Sequence, residues 1–156
     1  MRLYVVRHGD AGTRARWNGA DESRPLTTSG HRQAVAIADA LVSAGVGRLV
    51  SSPYRRCVQT LEPLATRLGL VVDDDPRLAE GAGGVDALTL ADELCKENDA
   101  AAVCSHGDVV PEMLRILMAT TARFKDPLVW PKGSTWVITW DGERWSKARY
   151  IAPPKV

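Results

Sequence analysis

Three short predicted strands constrain the fold of this chain more than any other feature, because a polar segment and then a helical pattern follow each of them. The strands are Leu3 to Val6, Arg48 to Ser51 and Ala100 to Cys104. A largely apolar run of this length is typical of a strand covered on both faces. Strands alternating with amphipathic helices predict an α/β fold, a three-layer sandwich with a mainly parallel central sheet and helices on both faces.

Capping residues and apolar stripes predict four helices. They begin at Thr27 or Thr28, near Tyr54, around Val85 and after Asp108, in that order. Pro63 should kink or restart the second helix. A strand at Leu70 to Val72, and a C-terminal hairpin turning at Asp141 and Gly142, complete the prediction.

The chain is predicted to form one domain over residues 1–156, because its 156 residues contain no repeat, low-complexity tract or linker. Residues 9–28 show no periodicity and contain three glycines. A loop of this length inside a compact domain is usually functional.

Composition narrows the environment and the partners. The formal net charge is +1, so no overall field attracts nucleic acid or an anionic membrane, and neither is expected as a partner. Three cysteines without a CxxC pair are typical of reduced thiols. With no run of signal-peptide or membrane-spanning length, the sequence predicts a cytoplasmic protein.

Polar, reactive residues follow three of the predicted strands. His8 follows the first strand, Arg55 and Arg56 follow the second, and His106 follows the third. Because ligands bind beyond the carboxyl ends of parallel strands, we expect these side chains to share one edge of the sheet. Arginines and helix N-termini favour an anion, and a phosphoryl group fits best.

The sequence lacks the motifs that other hydrolytic and phosphoryl-transfer mechanisms require. No cysteine has an arginine six positions later, and no GxxxxGK[ST], GxSxG, HExxH or CxxC motif occurs. A metal site is therefore not expected, and no cofactor is implied. A histidine nucleophile remains, since imidazole can attack phosphorus and form a covalent intermediate. Flanking arginines would keep its pKa low.

At these residues the chain resembles the histidine phosphatase superfamily, whose fold is also called phosphoglycerate mutase-like. Four segments carry the resemblance in order: "VVRHGD", "RPLTTSGHRQA", "SSPYRRCVQT" and "VCSHG". The resemblance implies that His8 accepts the phosphoryl group. It also implies that Arg7, Arg56 and His106 complete the phosphate pocket.

The resemblance implies further roles around that pocket. Gly9 would let the chain turn beside the phosphate, and Gly107 would contact the substrate. Glu80, in "RLAE", stands where many members have the acid that protonates the leaving group. Asp10 and Asp108 are alternative donors, although Asp108 is better explained as a helix cap.

Two branches of the superfamily suggest two substrates. The short length between Glu80 and His106 resembles the SixA-like branch, which implies phosphohistidine on a protein. The segments "AGTRARWNGADESRPL" and "PKGSTWV" resemble the phosphatase half of actinobacterial Nudix–histidine phosphatase fusions, which implies nucleotides. Arg14, Arg16 and Trp17 would then hold distal phosphates or a base, with Lys132 a weaker candidate.

The sequence therefore predicts a metal-independent phosphatase that acts on a phosphorylated small molecule or a phosphohistidine protein. A phosphate-binding module without turnover is the alternative from another class. A phosphomutase is a third interpretation, which would need a more closed site. Oligomeric state stays open.

Overall fold

The computed structural model describes all 156 residues, as a seven-stranded sheet and four α-helices. The strands are β1 Arg2–Arg7, β2 Arg48–Ser51, β3 Val72–Asp74, β4 Ala100–Ser105, β5 Arg123–Phe124, β6 Thr135–Trp140 and β7 Trp145–Ile151. The helices are α1 Thr28–Leu41, α2 Arg55–Leu68, α3 Gly84–Glu97 and α4 Val109–Thr120. Three short 3-10 turns lie at Arg14–Arg16, Asp21–Ser23 and Pro76–Leu78.

The sheet is mainly parallel, as predicted. Its strand order is β3-β2-β4-β1-β6-β7-β5. Strands β3, β2, β4 and β1 pair in parallel, and β6 is antiparallel to both of its neighbours. The predicted hairpin is formed by β6 and β7. Because β2, β4 and β1 are parallel neighbours in the sheet, their carboxyl ends meet at one edge.

Two hydrophobic cores lie on opposite faces of the sheet, which makes the fold the expected three-layer sandwich. One core packs apolar residues of α1 and α2 against β1, β2 and β4. The other packs α3 and α4 against the opposite face of β1 and β4 and against β6 and β7. The predicted stripe of α1 is buried at Ala34, Ile37, Ala38 and Leu41. Thr27 caps that helix by accepting from the Gly30 amide.

Several predicted details were wrong. Of the two predicted outcomes at Pro63, a kink or a restart, the restart does not occur: helix α2 runs through Pro63, and Leu61 and Leu64 on either side are buried. Strand β3, predicted at Leu70 to Val72, begins two residues later, and Val71 just before it is exposed. Strand β5 was not predicted, because two residues carry no periodicity.

No helix combines the length and the apolar character needed to cross a membrane.

Candidate active site

His8 lies directly beyond β1, held there by the backbone. Its amide donates to the Ser105 carbonyl at 3.1 Å, so the chain stays beside β4 where the strand ends. The ring is buried, and its Nδ1 lies 2.8 Å from the Gly9 carbonyl oxygen. A carbonyl can only accept, so Nδ1 carries the proton and donates. In the neutral ring the lone pair is therefore on Nε2.

The surroundings of His8 keep its ring uncharged. Burial lowers the pKa of His8 from 6.5 to about 3, with further lowering by His106, Arg56 and Arg7. The hydrogen bond to Gly9 acts in the opposite direction but does not offset these effects. Near neutral pH the side chain is therefore an imidazole with a free Nε2, the form that can act as a nucleophile.

Arg56 enters the site from the first turn of α2, where Tyr54 precedes the helix as its N-cap residue. Its guanidinium is buried and lies over the Tyr54 ring, 4.9 Å from the centroid. It donates to the Asp21 carbonyl at 2.9 Å and to Asp21 Oδ2 at 3.1 Å. Its Nε is buried without a hydrogen-bond partner in the chain. The predicted choice of Arg56 over Arg55 fits this burial, since Arg55 is exposed.

His106 follows β4 and packs edge-on against His8, with the ring centroids 5.4 Å apart. Its Nε2 lies 2.7 Å from the Ser52 hydroxyl, which already accepts from the Tyr54 amide. Arg56 NH2 lies 3.5 Å from Nδ1 of the same ring, and because a guanidinium can only donate, Nδ1 accepts and the ring proton resides on Nε2, which donates to the Ser52 hydroxyl. Both ring nitrogens of His106 are therefore held beside His8, one by Ser52 and one by Arg56.

Arg7 reaches the site from the last position of β1. Its NH1 donates to the Trp130 carbonyl at 2.8 Å, and its Nε is buried without a partner. A Cβ on Gly107 would lie only 2.6 Å from Arg7 NH2, so that position admits only glycine while Arg7 stays in place. Arg7 also borders a cleft of about 520 Å³ walled by Leu128, Val129 and Trp130.

Gly9 is required by close packing and not by a left-handed turn. A Cβ at Gly9 would lie 3.0 Å from the Gly30 carbonyl oxygen in the first turn of α1. The Gly9 amide donates to Thr60 Oγ1 at 3.1 Å, and the Thr60 hydroxyl donates to the Arg56 carbonyl at 2.7 Å. Thr60 therefore connects the backbone beside His8 to the helix that carries Arg56.

Glu80 lies at the solvent side of Arg56, which we call the mouth of the site, in a cluster of acidic and basic side chains. Its Oε2 accepts from Arg14 NH2 at 2.7 Å, and its Oε1 lies 3.9 Å from Arg56 NH2. The same Arg14 nitrogen donates to Asp21 Oδ2 at 3.1 Å. Burial raises the pKa of Asp21, but hydrogen bonds from Arg24, Arg14 and Arg56 outweigh it and hold that pKa below its usual value.

The other predicted candidates lie further out or have structural contacts. Arg16 is exposed and its guanidinium makes no hydrogen bond or ion pair in the chain. Trp17 is half-buried and donates from its ring nitrogen to the Ala20 carbonyl. Lys132 Nζ donates to the Gly12 carbonyl and lies 3.6 Å from Asp10 Oδ1. Asp108 caps α4, as predicted, and accepts from the Gly81 amide.

Sequence reasoning missed four residues of the site: Ser52, Asp21, Cys57 and Thr60. Cys57 Sγ lies 3.5 Å from His106 Nε2 and is fully buried. Ser52 and Thr60 lie within the "SSPYRRCVQT" segment, which was a detectable signal for both. Asp21 lies within "AGTRARWNGADESRPL", but nothing in that aperiodic segment indicated that it contacts Arg56.

The site contains charged and neutral hydrogen-bond donors but no group of side chains suited to bind a metal ion. No three His, Cys, Asp or Glu side chains are grouped so that they could hold a metal ion. Buried Arg56 and half-buried Arg7, each with an unpartnered buried Nε atom, lie with the uncharged His8 at this edge of the sheet. Such a site can bind a tetrahedral oxyanion and present Nε2 of His8 to it.

Comparisons with known proteins agree with the fold. The protein histidine phosphatase SixA, solved in complex with tungstate, superposes with a TM-score of 0.75 at 24% identity, over 97% of this chain and 95% of that one. A mycobacterial glucosyl-3-phosphoglycerate phosphatase in complex with VO3 gives a TM-score of 0.71 at 20% identity, over 97% of both chains.

Sequence comparison gives the family. An 8-oxo-(d)GTP phosphatase of Mycolicibacterium smegmatis is 33% identical over 155 residues, which is 97% of this chain. The chain spans about half the length of that relative, 48%. Residues 3–93 match the sequence profile of the histidine phosphatase superfamily, branch 1. The chain therefore belongs to the histidine phosphatase superfamily, and the resemblance predicted from its motifs is confirmed.

Proposed function

We propose that this chain is a metal-independent phosphatase that transfers the phosphoryl group of its substrate to His8 and then to water. One observation carries the proposal: His8 is an uncharged imidazole with a free Nε2, buried beside Arg7, Arg56 and His106. The unpartnered Nε atoms of the two arginines are donors that phosphoryl oxygens would satisfy.

The first step is attack by His8 Nε2 on phosphorus. The N–P bond forms as the bond from phosphorus to the leaving oxygen breaks, and the leaving oxygen takes a proton from Glu80. The carbonyl of Gly9 favours the positive charge that develops on the ring. Arg7 and Arg56 stabilise the charge on the transferred oxygens, and His106 lies beside His8 in contact with Arg56.

The second step is hydrolysis of the phosphohistidine. A water oxygen attacks phosphorus, the N–P bond breaks, and its electron pair returns to Nε2. The Glu80 carboxylate takes the proton from water and is ready for the next turnover, while orthophosphate leaves.

A small phosphorylated molecule such as a nucleotide is the substrate class we favour. Similarity to the 8-oxo-(d)GTP phosphatase extends over 97% of the chain. Arg14 stands at the mouth beside Glu80, and Arg16 is free nearby in the same loop. The apolar wall of the cleft next to Arg7 offers a surface for the organic part of such a molecule.

Phosphohistidine on a protein is the second candidate, supported by the short connection across the site. Between Glu80 and His106 the chain forms only α3 and β4, with no additional covering segment. A site bordered this way can receive a side chain presented by another protein.

Phosphate release from both substrate types tests the proposal. A nucleoside diphosphate and a phosphohistidine-bearing protein are incubated with the wild-type chain, with EDTA present throughout. We expect turnover of at least one substrate, reduced about 10³-fold or more in His8→Ala. His31→Ala removes an exposed histidine and is the matched control, with wild-type rates expected.

The same experiment distinguishes the alternatives. Acid-labile phosphate on the wild-type chain, absent from His8→Ala, is expected during turnover. Ligand binding without turnover in either variant would indicate a binding module. Return of the phosphoryl group to a second acceptor in preference to water would indicate a mutase. Undiminished hydrolysis by His8→Ala would exclude His8 as the nucleophile.

A further inference from the structure

A second positively charged site lies on the sheet, at the opposite end of β1 from His8. It is a cavity of about 590 Å³ formed by β1, β5, β6, β7 and the residues that follow β5. Its cationic side chains are Arg2, Arg123, Lys125, Lys147 and Arg149. Arg2 precedes His8 by six residues along an extended strand, which places the two about 20 Å apart. The cavity is therefore separate from the site of His8.

Strand register places the cations of this cavity in a row. Arg2 lies opposite Thr139, Thr139 lies opposite Lys147, and Lys147 lies opposite Arg123. The row crosses four strands, and three inter-strand spacings give a length of about 14 Å. Arg149 lies two residues beyond Lys147 on the same face of β7, which gives the row a second cation at its side.

The cations of the row form no ion pair in the chain. All five side chains are exposed or border the cavity, and none of them takes part in an ion pair, although arginines elsewhere in the protein do. Asp126 is the one carboxylate in the lining, and its Oδ2 accepts from the Tyr150 amide. Like charges opposite each other, as at Arg123 and Lys147, destabilise a sheet. A bound polyanion would remove that repulsion.

The shape and composition of the cavity select among polyanions. Its apolar lining consists of Val137 and Ala148, and no aromatic side chain is present on which a nucleobase could stack. A row of cations with a hydroxyl at Thr139 fits a linear chain of phosphoryl groups. We propose that this face binds an inorganic oligophosphate along the row from Arg2 to Arg123. The proposal does not depend on the reaction at His8.

Residue-resolved NMR with inorganic tripolyphosphate as the probe tests this site. The titration uses the full chain with His8→Ala, so that the probe is not consumed if the proposed reaction occurs. We expect saturable shifts of the Arg2, Lys147 and Arg149 amides, with affinity increasing from orthophosphate to pyrophosphate to tripolyphosphate. Added salt should weaken binding, since exposed charges are screened.

Two double variants provide the comparison. Lys147→Gln with Arg149→Gln should weaken tripolyphosphate binding at β7 about tenfold or more. Arg32→Gln with Lys96→Gln removes the same charge from exposed positions on α1 and α3, and should leave binding at β7 unchanged. Well-dispersed spectra of both variants establish that they are folded.

Three results would overturn the proposal. Shifts confined to residues around His106 would mean that the probe binds only the site of His8. Equal weakening by both double variants would mean that overall charge attracts the probe. Tighter binding of a thymidine oligonucleotide than of tripolyphosphate, at matched phosphate concentration, would assign the face to nucleic acid.

Discussion

The Ser52 hydroxyl lies 2.7 Å from His106 Nε2, and the adjacent Tyr54 amide donates to the same oxygen. The other ring nitrogen, Nδ1, lies 3.5 Å from Arg56 NH2 and accepts from it, since a guanidinium can only donate. The ring proton is then on Nε2 and is donated to Ser52. Ser52 therefore acts on the site by positioning His106.

Ser52→Ala should lower kcat/KM about tenfold to hundredfold, because it removes the acceptor of the His106 ring proton without removing the ring; loss of a whole donor costs 10²–10³. Nitrogen-15 shifts of the His106 ring should move toward a mixture of tautomers. Ser51→Ala is the control, since Ser51 is equally buried but donates to the Ser52 carbonyl. Unchanged ring shifts in Ser52→Ala would show that the serine does not set the tautomer.

The pKa of His8 gives a prediction for acid stability. That pKa falls from 6.5 to about 3 on folding, mainly through burial. Between these pH values the unfolded chain binds a proton at His8 and the folded chain does not. The free energy of unfolding should therefore fall as pH falls through this window, by up to about 1.4 kcal/mol per pH unit.

Urea denaturation at pH 6.5 and pH 4.5 measures this effect. The wild-type chain should lose about 2 kcal/mol more than His8→Asn over that interval. His31→Asn, which replaces an exposed histidine, should keep the wild-type loss. Identical pH dependence of the wild-type chain and His8→Asn would mean that His8 titrates normally in the folded state.

Much of the site could be predicted because it follows strand ends. His8, Arg56 and His106 are far apart in sequence, but parallel strands bring their carboxyl ends together, so a local pattern sufficed. Asp21 could not be predicted, since its contact with Arg56 spans 35 positions and begins in a loop without periodicity. Strand β3 was misplaced because Val71 is apolar in sequence yet exposed at the edge of the sheet.

Asp21 should be a main source of stability around Arg56. It accepts from Arg24 at 3.0 Å as well as from Arg56 and Arg14, and both Arg24 and Arg56 are buried. Asp21→Asn leaves buried Arg24 without its paired carboxylate and buried Arg56 with only Glu80, 3.9 Å away, which should lower the free energy of unfolding by about 3 kcal/mol.

Thermal or urea unfolding of Asp21→Asn checks this value, with Asp39→Asn as the control. Asp39 pairs with Arg67 on the surface, and exposed pairs contribute about 0.2–1 kcal/mol. A loss for Asp21→Asn as small as that for Asp39→Asn would mean that solvent or neighbouring groups already compensate the charge of Arg56.

Glu80 should affect the reaction according to the leaving group. If it protonates the departing oxygen, Glu80→Gln should slow hydrolysis of an alkyl phosphate such as glycerol phosphate about 10²- to 10⁴-fold. Hydrolysis of p-nitrophenyl phosphate should change less than about tenfold, because nitrophenolate leaves without a proton. Asp10→Asn, at one of the alternative donors, should leave both rates close to wild type, because the Asp10 carboxylate accepts from Thr27. Equal slowing of both substrates by Glu80→Gln would instead assign Glu80 to holding Arg14, whose NH2 donates to it at 2.7 Å. Dependence on the leaving group in Asp10→Asn alone would identify Asp10 as the proton donor.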